Sequence, residues 1–463
     1  MMQSSVALAA PEGQAIQHDL PAGMEEWLCA IGGGGRIMRL ERAIARREAW
    51  LVDIARPDGS TLEGFLRLDR SPRDDDPWSL AKEVAIVRAL GNSPVPVAAV
   101  LGDSDTLHCV LFERLTGRSD LHNMPPAQQR AVMLNFMDVV AQLHALPLDL
   151  AGLPAMPMPA DARECALGEV DLVLAHWAEF LSTYRDPLLT YGVDWLRRFA
   201  PSRVDRVSLL QGDTGPMNFM FEGDRVSAVF DWEWGHLGDP MEDLGNISVR
   251  EFWNPSGGLT GLLERYEQAS GRKVDRAAVL YYRVQQQIRG MVPNRYYTVH
   301  AKPHEPIAWY LAYRYVGDRA TCEAIAEAMG IVVEPPEYPP ENDMEDPLAK
   351  AASWALHNDI KPGANTPLAI SRIAEVDVLL RCMARVAKYG ALIDETERRE
   401  IGALLGDDVA TLEEGLTALD EAITAHRLSD EAVITYLARR CFRGEWLYQP
   451  STTLFPKRRW SSL

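Results

Sequence analysis

The chain has 463 residues, of which 47% are hydrophobic and 24% are charged. Its length predicts two or three domains, and its composition is typical of globular proteins. The net charge of −19 disfavours nucleic acid as a partner, because most of the surface would repel a phosphate backbone. No apolar run approaches the ~20 residues that span a bilayer, so we expect no membrane partner.

The N-terminal residues and the cysteines together predict a cytoplasmic chain. Residues 1–25 contain a short apolar run and no basic leader, which favours a flexible tail over a signal peptide. The six cysteines include no C-x-x-C pair. This spacing disfavours a zinc ribbon or a disulfide scaffold and favours reduced, buried thiols.

Residues 26–117 combine strand and helix signals. Runs of apolar residues joined by a Pro-Asp-Gly turn predict strands at Ala49–Ala55 and Leu62–Leu68. Apolar residues at helical spacing predict a helix over 80–90, and a third strand is expected within 108–117. The pattern predicts a small sheet-rich region with one central helix.

Residues 118–332 are predicted to be mainly helical, with a strong amphipathic helix over 130–146. Short apolar runs within this region predict three strands. These strands are expected at Ser208–Leu210, Phe219–Phe221 and Val226–Phe230.

Residues 333–345 are acidic and rich in proline, which predicts an exposed linker. Beyond it, residues 346–463 are predicted to form an all-helical domain, with helices over 370–390, ended by Gly390, and over 430–446. Three roles stay open for this domain: a structural extension, a cover over the substrate cleft, or a contact that mediates association into a homodimer.

The segment 209–245 concentrates residues that can carry chemistry. Asp213 follows a predicted strand and a glycine, Asn218 lies five residues later, and Asp231 ends the next apolar strand. Two carboxylates and an amide supply the oxygen ligands that Mg²⁺ prefers. Each residue alone would be read as a turn or strand-end residue. Their joint spacing favours a site for phosphoryl transfer.

Three motifs in this segment carry a family resemblance: QGDTGPMN, VFDWEWGHLGDP and EDLG. They resemble the catalytic core of the aminoglycoside phosphotransferase-like kinases, relatives of choline, homoserine and hydroxyacyl-CoA kinases. The resemblance implies an α+β, protein-kinase-like bilobal fold. Residues 26–117 would form the small sheet-rich N-lobe, and residues 118–332 the larger helical C-lobe with the catalytic loop. The helical C-terminal domain resembles a module sometimes appended to such phosphotransferases.

The resemblance also implies roles for the acidic residues of these motifs. Asp213 would be the catalytic base, and Asn218 and Asp231 would be Mg²⁺ ligands. Asp239 is expected to cap a helix start, and Asp243 to orient the catalytic loop.

Gln211 stands where the family usually has histidine. We expect it to hydrogen-bond around the catalytic turn without titrating. Glu233 and His236 are expected either to face the substrate or to lie on the surface.

The resemblance extends upstream to the residues that would bind the nucleotide. Arg67 matches the strand lysine that contacts the phosphates of ATP, and Glu83 matches the helix glutamate that pairs with this cation. The end of the third strand would line the adenine pocket through backbone groups of Phe112, Glu113, Arg114 and Leu115. One departure is that the expected phosphate-covering loop, residues 42–50, has no glycine, whereas a glycine run lies upstream at 32–35.

These residues predict an ATP- and Mg²⁺-dependent phosphotransferase that phosphorylates a hydroxyl group of a small molecule. The acceptor could be hydroxyacyl-CoA-like, aminoglycoside-like or another alcohol, because a fold does not transfer specificity. The alternative is a pseudokinase, a nucleotide-binding scaffold or sensor without turnover. Gln211, Arg67 and the missing loop glycines motivate that alternative.

Overall fold

The computed structural model describes residues 20–43, 48–70, 72–73, 76–303, 305–341 and 346–463. Most of the predicted N-terminal tail, residues 1–19, lies outside the described residues, as do 44–47 of the predicted phosphate-covering loop and 342–345 of the predicted linker. None of the helices within the described ranges has the length and apolar character needed to cross a membrane.

The regular elements follow one another in an N-terminal mixed region and a long helical remainder. The strands are β1 Arg36–Arg42, β2 Ala49–Ala55, β3 Thr61–Leu68, β4 Val100–Ser104, β5 Cys109–Glu113, β6 Ser208–Leu210, β7 Phe219–Glu222, β8 Arg225–Val229 and β9 His236–Gly238. The helices are α1 Met24–Ile31, α2 Leu80–Leu90, α3 Pro126–Ala145, α4 Ala162–His176, α5 Ala178–Thr183, α6 Pro187–Arg198, α7 Pro240–Trp253, α8 Leu262–Ser270, α9 Arg276–Val299, α10 Ile307–Met329, α11 Pro347–Ala355, α12 Pro367–Leu405, α13 Leu412–Thr424, α14 Asp430–Leu447 and α15 Gln449–Thr452.

The chain divides into two compact units, each built from separate stretches of sequence. Unit 1 contains the residues up to Ala160, together with Val204–Asp275 and Ser461–Leu463. Unit 2 contains Asp161–Arg203 and Arg276–Trp460. Within the described residues, the nine strands lie in unit 1, and the regular elements of unit 2 are all helices. The predicted α+β class is therefore confirmed.

Unit 1 is organised around a five-stranded antiparallel sheet with strand order β1-β2-β3-β5-β4. Alternate residues of β2 and β3 are buried, as expected for a sheet with one face against a core. Helix α1 contributes Met24 and Leu28 to that core. The upstream glycine run forms the turn from α1 into β1, where Gly33 and Gly34 adopt positive φ angles of 68° and 82°.

The remainder of unit 1 carries two short strand pairs beside helices. Strand β6 pairs with β9, and β7 pairs with β8, both antiparallel. Helix α3 packs against β6, β8 and α8. The strands predicted around the catalytic motifs are confirmed, with bounds shifted by at most one residue, whereas β9 was not predicted.

Unit 2 contains the long helix α12, which differs from its prediction. Gly390 was expected to end this helix, but α12 continues to Leu405 and ends at Gly406, whose φ is 70°. A helical glycine costs about 1 kcal/mol relative to alanine. The buried neighbours Tyr389 and Ile393 pack with Leu447 of α14 and offset that cost.

The proline-rich segment that follows α10 lies within unit 2. Residues 331–341 contain no helix or strand. The helices on both sides of them nevertheless belong to unit 2, because α10 packs against α14. The boundaries at 117/118 and at 333–345 therefore stay predictions.

Candidate active site

The predicted catalytic loop, residues 211–218, joins the end of β6 to the start of β7. Two of its glycines adopt positive φ angles, 81° at Gly212 and 141° at Gly215. A Cβ at Gly212 would overlap the carbonyl oxygen of Trp234, and one at Gly215 would lie 2.6 Å from the Cβ of Arg250. Glycine is needed at both positions because the loop lies directly against its neighbours.

Asp213 is buried in this loop, and two side chains hold its carboxylate. Arg250 of α7 donates from Nε to Oδ1 at 2.8 Å and from Nη2 to Oδ2. Asn218 donates from Nδ2 to Oδ2 at 3.1 Å and to the Asp213 carbonyl oxygen at 2.7 Å. The carboxylate is therefore fixed in one orientation at the end of β6.

The sequence interpretation missed Arg250. Its side chain is 3% exposed, and it approaches the loop from the helix that follows the Gly-Asp-Pro motif. One signal could have found it: Arg250 lies seven residues after Asp243, and residues seven apart share a helix face. Asp243 was already expected to face the loop.

Asn218 and Asp231 lie at the same end of the β7–β8 hairpin. The backbone N–H of Phe230, the residue before Asp231, donates to the Asn218 carbonyl oxygen at 3.0 Å. Asn218 therefore lies across the hairpin from the neighbour of Asp231. Asp231 has a left-handed backbone, with φ 62° and ψ 61°, a conformation that Asp adopts more readily than most residues. The hairpin thus brings an amide and a carboxylate to one edge.

The donor chemistry of this edge fits Mg²⁺. The amide nitrogen of Asn218 is committed to Asp213, which leaves its oxygen as the group that a cation would meet. Within the described ranges, no hydrogen bond or ion pair engages the half-buried Asp231 carboxylate. The same ranges contain no group of three or more His, Cys, Asp or Glu residues suited to a metal. Mg²⁺ commonly uses only one or two carboxylates, with substrate phosphates and water completing its shell.

Gln211 connects the catalytic loop to the Asp231 turn. Its Oε1 accepts from the backbone N–H of Asp213 at 2.9 Å and from the hydroxyl of Thr214 at 3.1 Å. Its Nε2 donates to the carbonyl oxygens of Phe230 and Asp231, at 3.1 and 2.7 Å. A neutral amide thus supplies both the acceptors and the donors that this position requires.

Asp243 holds the backbone of the catalytic loop from α7. Its carboxylate accepts from the N–H groups of Gln211 and Gly212, both at 3.0 Å. His144 contacts the same carboxylate at 3.1 Å and the hydroxyl of Tyr266 at 2.8 Å. Burial alone would raise the pKa of Asp243, but hydrogen bonds, first from His144 and then from the loop, lower that pKa below its usual value.

The remaining motif residues are buried beside the loop. Asp239 accepts from the Met241 N–H at 3.0 Å and so caps α7. Glu233 and His236 are both buried, so the alternative of a surface role is wrong for them. His236 contacts the Trp234 carbonyl oxygen and Glu242, at 2.9 and 3.3 Å, which keeps it within the turn.

The expected ion pair between Arg67 and Glu83 is present and joins the sheet to α2. Arg67 of β3 donates from Nη1 to Oε1 of Glu83 in α2 at 2.6 Å, and both side chains are largely buried. Helix α2 in turn packs against the Asp-Trp-Glu turn, where a Cβ at Gly235 would lie 2.7 Å from Cδ1 of Ile86. The Arg67–Glu83 pair and the Asp231 turn are therefore parts of one packed assembly.

The strand end predicted to bind adenine is partly occupied by sheet hydrogen bonds. The N–H of Glu113 donates to the Ala99 carbonyl oxygen, and that of Arg114 to the Glu63 carbonyl oxygen. The Arg114 side chain forms ion pairs with Asp53 and Glu63. Phe112 is buried within β5. In the described part of the chain no hydrogen bond engages the N–H of Leu115, which makes it the best placed of the four amides.

Fold and site define a class of protein. A five-stranded antiparallel sheet with a paired cation and glutamate precedes a catalytic loop with Asp and Asn and a turn with a second Asp. This is the arrangement of a kinase-like phosphotransferase. The chain belongs to the phosphotransferase enzyme family APH, whose model matches residues 48–282, more than half of the 463 residues.

Known proteins support both the family and the fold. The chain is 26% identical over 212 residues to acyl-CoA dehydrogenase family member 11 of Homo sapiens, which is 43% of this chain and 25% of that protein. It is 24% identical over 215 residues to the probable acyl-CoA dehydrogenase IBR3 of Arabidopsis thaliana, 42% of this chain and 26% of that one. The similarity thus spans about a quarter of these relatives' length.

Among solved structures, a putative aminoglycoside phosphotransferase from Ralstonia eutropha is similar with a TM-score of 0.51 and 21% identity. The similarity covers 66% of this chain and 96% of that one. At this identity the likeness shows the fold, and the predicted kinase-like fold is confirmed.

Proposed function

We propose that the chain is an ATP- and Mg²⁺-dependent phosphotransferase that phosphorylates a hydroxyl group of a small molecule. The observation that carries the proposal is the buried, oriented carboxylate of Asp213 beside Asn218 and the available carboxylate of Asp231. The Arg67–Glu83 pair in the same unit adds a cation for the phosphates of ATP. Family membership supports phosphotransferase activity in general.

In this proposal each residue has one task. Asp213 orients the acceptor hydroxyl and receives its proton as the hydroxyl oxygen bonds to the γ-phosphorus and the bond to ADP breaks. Asn218 and Asp231 hold Mg²⁺, which supplies positive charge against the phosphate oxygens when it is bound. Leu115 and its neighbours would bind adenine through backbone groups.

The surroundings of Asp213 help to rank the acceptors. Arg250 offsets the charge of Asp213, so this part of the site offers no uncompensated acid to a polycationic aminoglycoside. The curated relatives are named as acyl-CoA dehydrogenases. We therefore place a hydroxyacyl-CoA first among the acceptors, ahead of simple alcohols and aminoglycosides.

Transfer of the γ-phosphate from Mg·ATP to an acceptor panel tests the proposal. The panel contains a hydroxyacyl-CoA, an aminoglycoside and a simple alcohol, and Asp213→Asn serves as the inactive control. Phosphorylation of one acceptor by the wild type, lost in Asp213→Asn, is the expected result. Stabilisation by Mg·ATP without any transfer would instead support the pseudokinase alternative.

A cytoplasmic location and self-association belong to the same proposal. On α12, Val376 and Met383 lie seven residues apart, hence on one face, and are 44% and 68% exposed. Exposed apolar residues on one helix face suit contact with a second copy of the chain.

A further inference from the structure

The carboxylate of Asp213 forms an ion pair with Arg250, and none of the family motifs gives Arg250 a role. We propose that Arg250 is a positioning residue for the catalytic carboxylate. This inference rests on the proposed function, since it requires Asp213 to be the group that meets the acceptor hydroxyl. Arg250 itself acts through Asp213 and needs no contact with the substrate.

Different residues hold the backbone of the loop and the side chain of Asp213. Asp243 holds the N–H groups of Gln211 and Gly212, and Gln211 holds the N–H of Asp213. The backbone of the loop is thus held without Arg250. Arg250 instead donates to both oxygens of the Asp213 carboxylate, so its contacts fix the rotamer of the reacting group.

The geometry of the pair suits the planar guanidinium of an arginine. Nε and Nη2 donate to the two oxygens side by side, the bidentate arrangement that a planar guanidinium makes with a carboxylate. Both side chains are almost fully buried, so water competes weakly for the bonds. A lysine at this position would keep the positive charge but could not make the bidentate contact.

The loop and α7 are built to bring these groups together. Gly215 lies against Arg250 and Ile247, where a Cβ would lie 2.6 Å from the Cβ of Arg250 and 3.3 Å from the Cα of Ile247. The loop therefore reaches Arg250 only because residue 215 has no side chain. Since small displacements of a reacting group cost large factors in rate, a contact of this kind affects turnover more than nucleotide binding.

The alternative is that Arg250 only fastens α7 to the loop. The two roles differ in whether the effect of replacing Arg250 depends on the presence of Asp213. A residue that acts through Asp213 has no further effect once Asp213 is removed, whereas a fastening residue lowers activity and stability independently of it.

A double-mutant cycle with Arg250→Met, Asp213→Asn and the double variant tests the inference. The readout is ADP release from Mg·ATP, with water as acceptor, so that no substrate needs to be known. We expect Arg250→Met to lower kcat about a hundredfold, with an unchanged KM for ATP, and the double variant to be no slower than Asp213→Asn. Arg250→Lys should recover part of kcat, because the charge is kept.

Folding and binding are followed in parallel through the melting temperature and its increase with Mg·ATP. Arg250→Met removes the guanidinium that offsets the buried charge of Asp213, so it could fail to fold; the double variant removes both charges and avoids this problem. If the single variant fails to fold, Arg250→Lys and the double variant decide the matter. In that case Arg250→Lys must lower kcat at unchanged KM, and the double variant must equal Asp213→Asn.

Three results would overturn the inference. A wild-type kcat in Arg250→Met would show that the bidentate contact is not needed. If Arg250→Met does not fold, a wild-type kcat in Arg250→Lys would show the same. A double variant markedly slower than Asp213→Asn would show that Arg250 acts independently of the carboxylate. A wild-type protein that transfers phosphate neither to water nor to any acceptor of the panel would overturn the proposed function, and the inference with it. The wild-type rate alone distinguishes this result from the other two.

Discussion

Replacing Gln211 by alanine should affect both stability and turnover, because this side chain joins the two halves of the site. It makes four hydrogen bonds and is 1% exposed. At about 1 kcal/mol for each bond, Gln211→Ala should lower the free energy of unfolding by about 4 kcal/mol. For a unit of this size, that corresponds to a fall in melting temperature of roughly 10 °C.

Gln211→Glu is the sharper variant because it is nearly isosteric. It keeps the oxygen that accepts from Asp213 and Thr214, but it places a second oxygen against the carbonyl oxygens of Phe230 and Asp231. We expect a loss of stability at least as large as that of Gln211→Ala, together with a fall in kcat of about a hundredfold.

Thermal and urea unfolding, with ADP release as the activity assay, check these expectations. Gln142→Ala, at an exposed position of α3, is a matched control and should change neither quantity. If Gln211→Glu behaves like the wild type, the bonds from the amide nitrogen do not hold the Asp231 turn, and the reasoning is refuted.

Three further expectations follow from other contacts. Arg67→Met leaves the buried Glu83 without its cation and removes a charge from the phosphates, so the KM for ATP should rise about tenfold or more in steady-state kinetics; an unchanged KM would place the nucleotide elsewhere. The pKa of Asp243 is lowered in the folded chain, so its stabilising contribution is present above the unfolded value of about 4 and is lost as the pH falls through the lower folded value. Urea unfolding at several pH values should therefore show the stability difference between wild type and Asp243→Asn shrinking in acid, and a constant difference would contradict this. Met383→Glu should shift a dimer to monomer in light scattering if the exposed face of α12 mediates self-association, whereas an unaltered dimer would exclude that face.

Local patterns predicted the elements that carry the site. Strands β2 and β6 and the strands around the catalytic loop follow from short apolar runs and turn residues, whose signals lie within a few positions of sequence. The Arg67–Glu83 pair was also expected, because the motif residues themselves supply the match. The positions of Asp239 as a cap and Asp243 beneath the loop agree with what the resemblance implied.

Features that depend on distant contacts were not predictable in the same way. Arg250 pairs with Asp213 across 37 positions, and a lone arginine in a helix gives no local sign of that partner. Helix α12 continues through Gly390 because α14 supplies packing on one side. Unit 2 includes helices from before and after the proline-rich segment, since α10 packs against α14.

The most direct test of the central claim compares wild type, Asp213→Asn and Asp231→Asn in transfer of the γ-phosphate from ATP, at increasing Mg²⁺ concentrations. We expect Mg²⁺-dependent transfer by the wild type, loss of kcat in Asp213→Asn at every Mg²⁺ concentration, and a higher Mg²⁺ requirement in Asp231→Asn. Equal transfer by all three proteins, or transfer that does not depend on Mg²⁺, would contradict the assignment of Asp213 as base and of Asp231 as metal ligand.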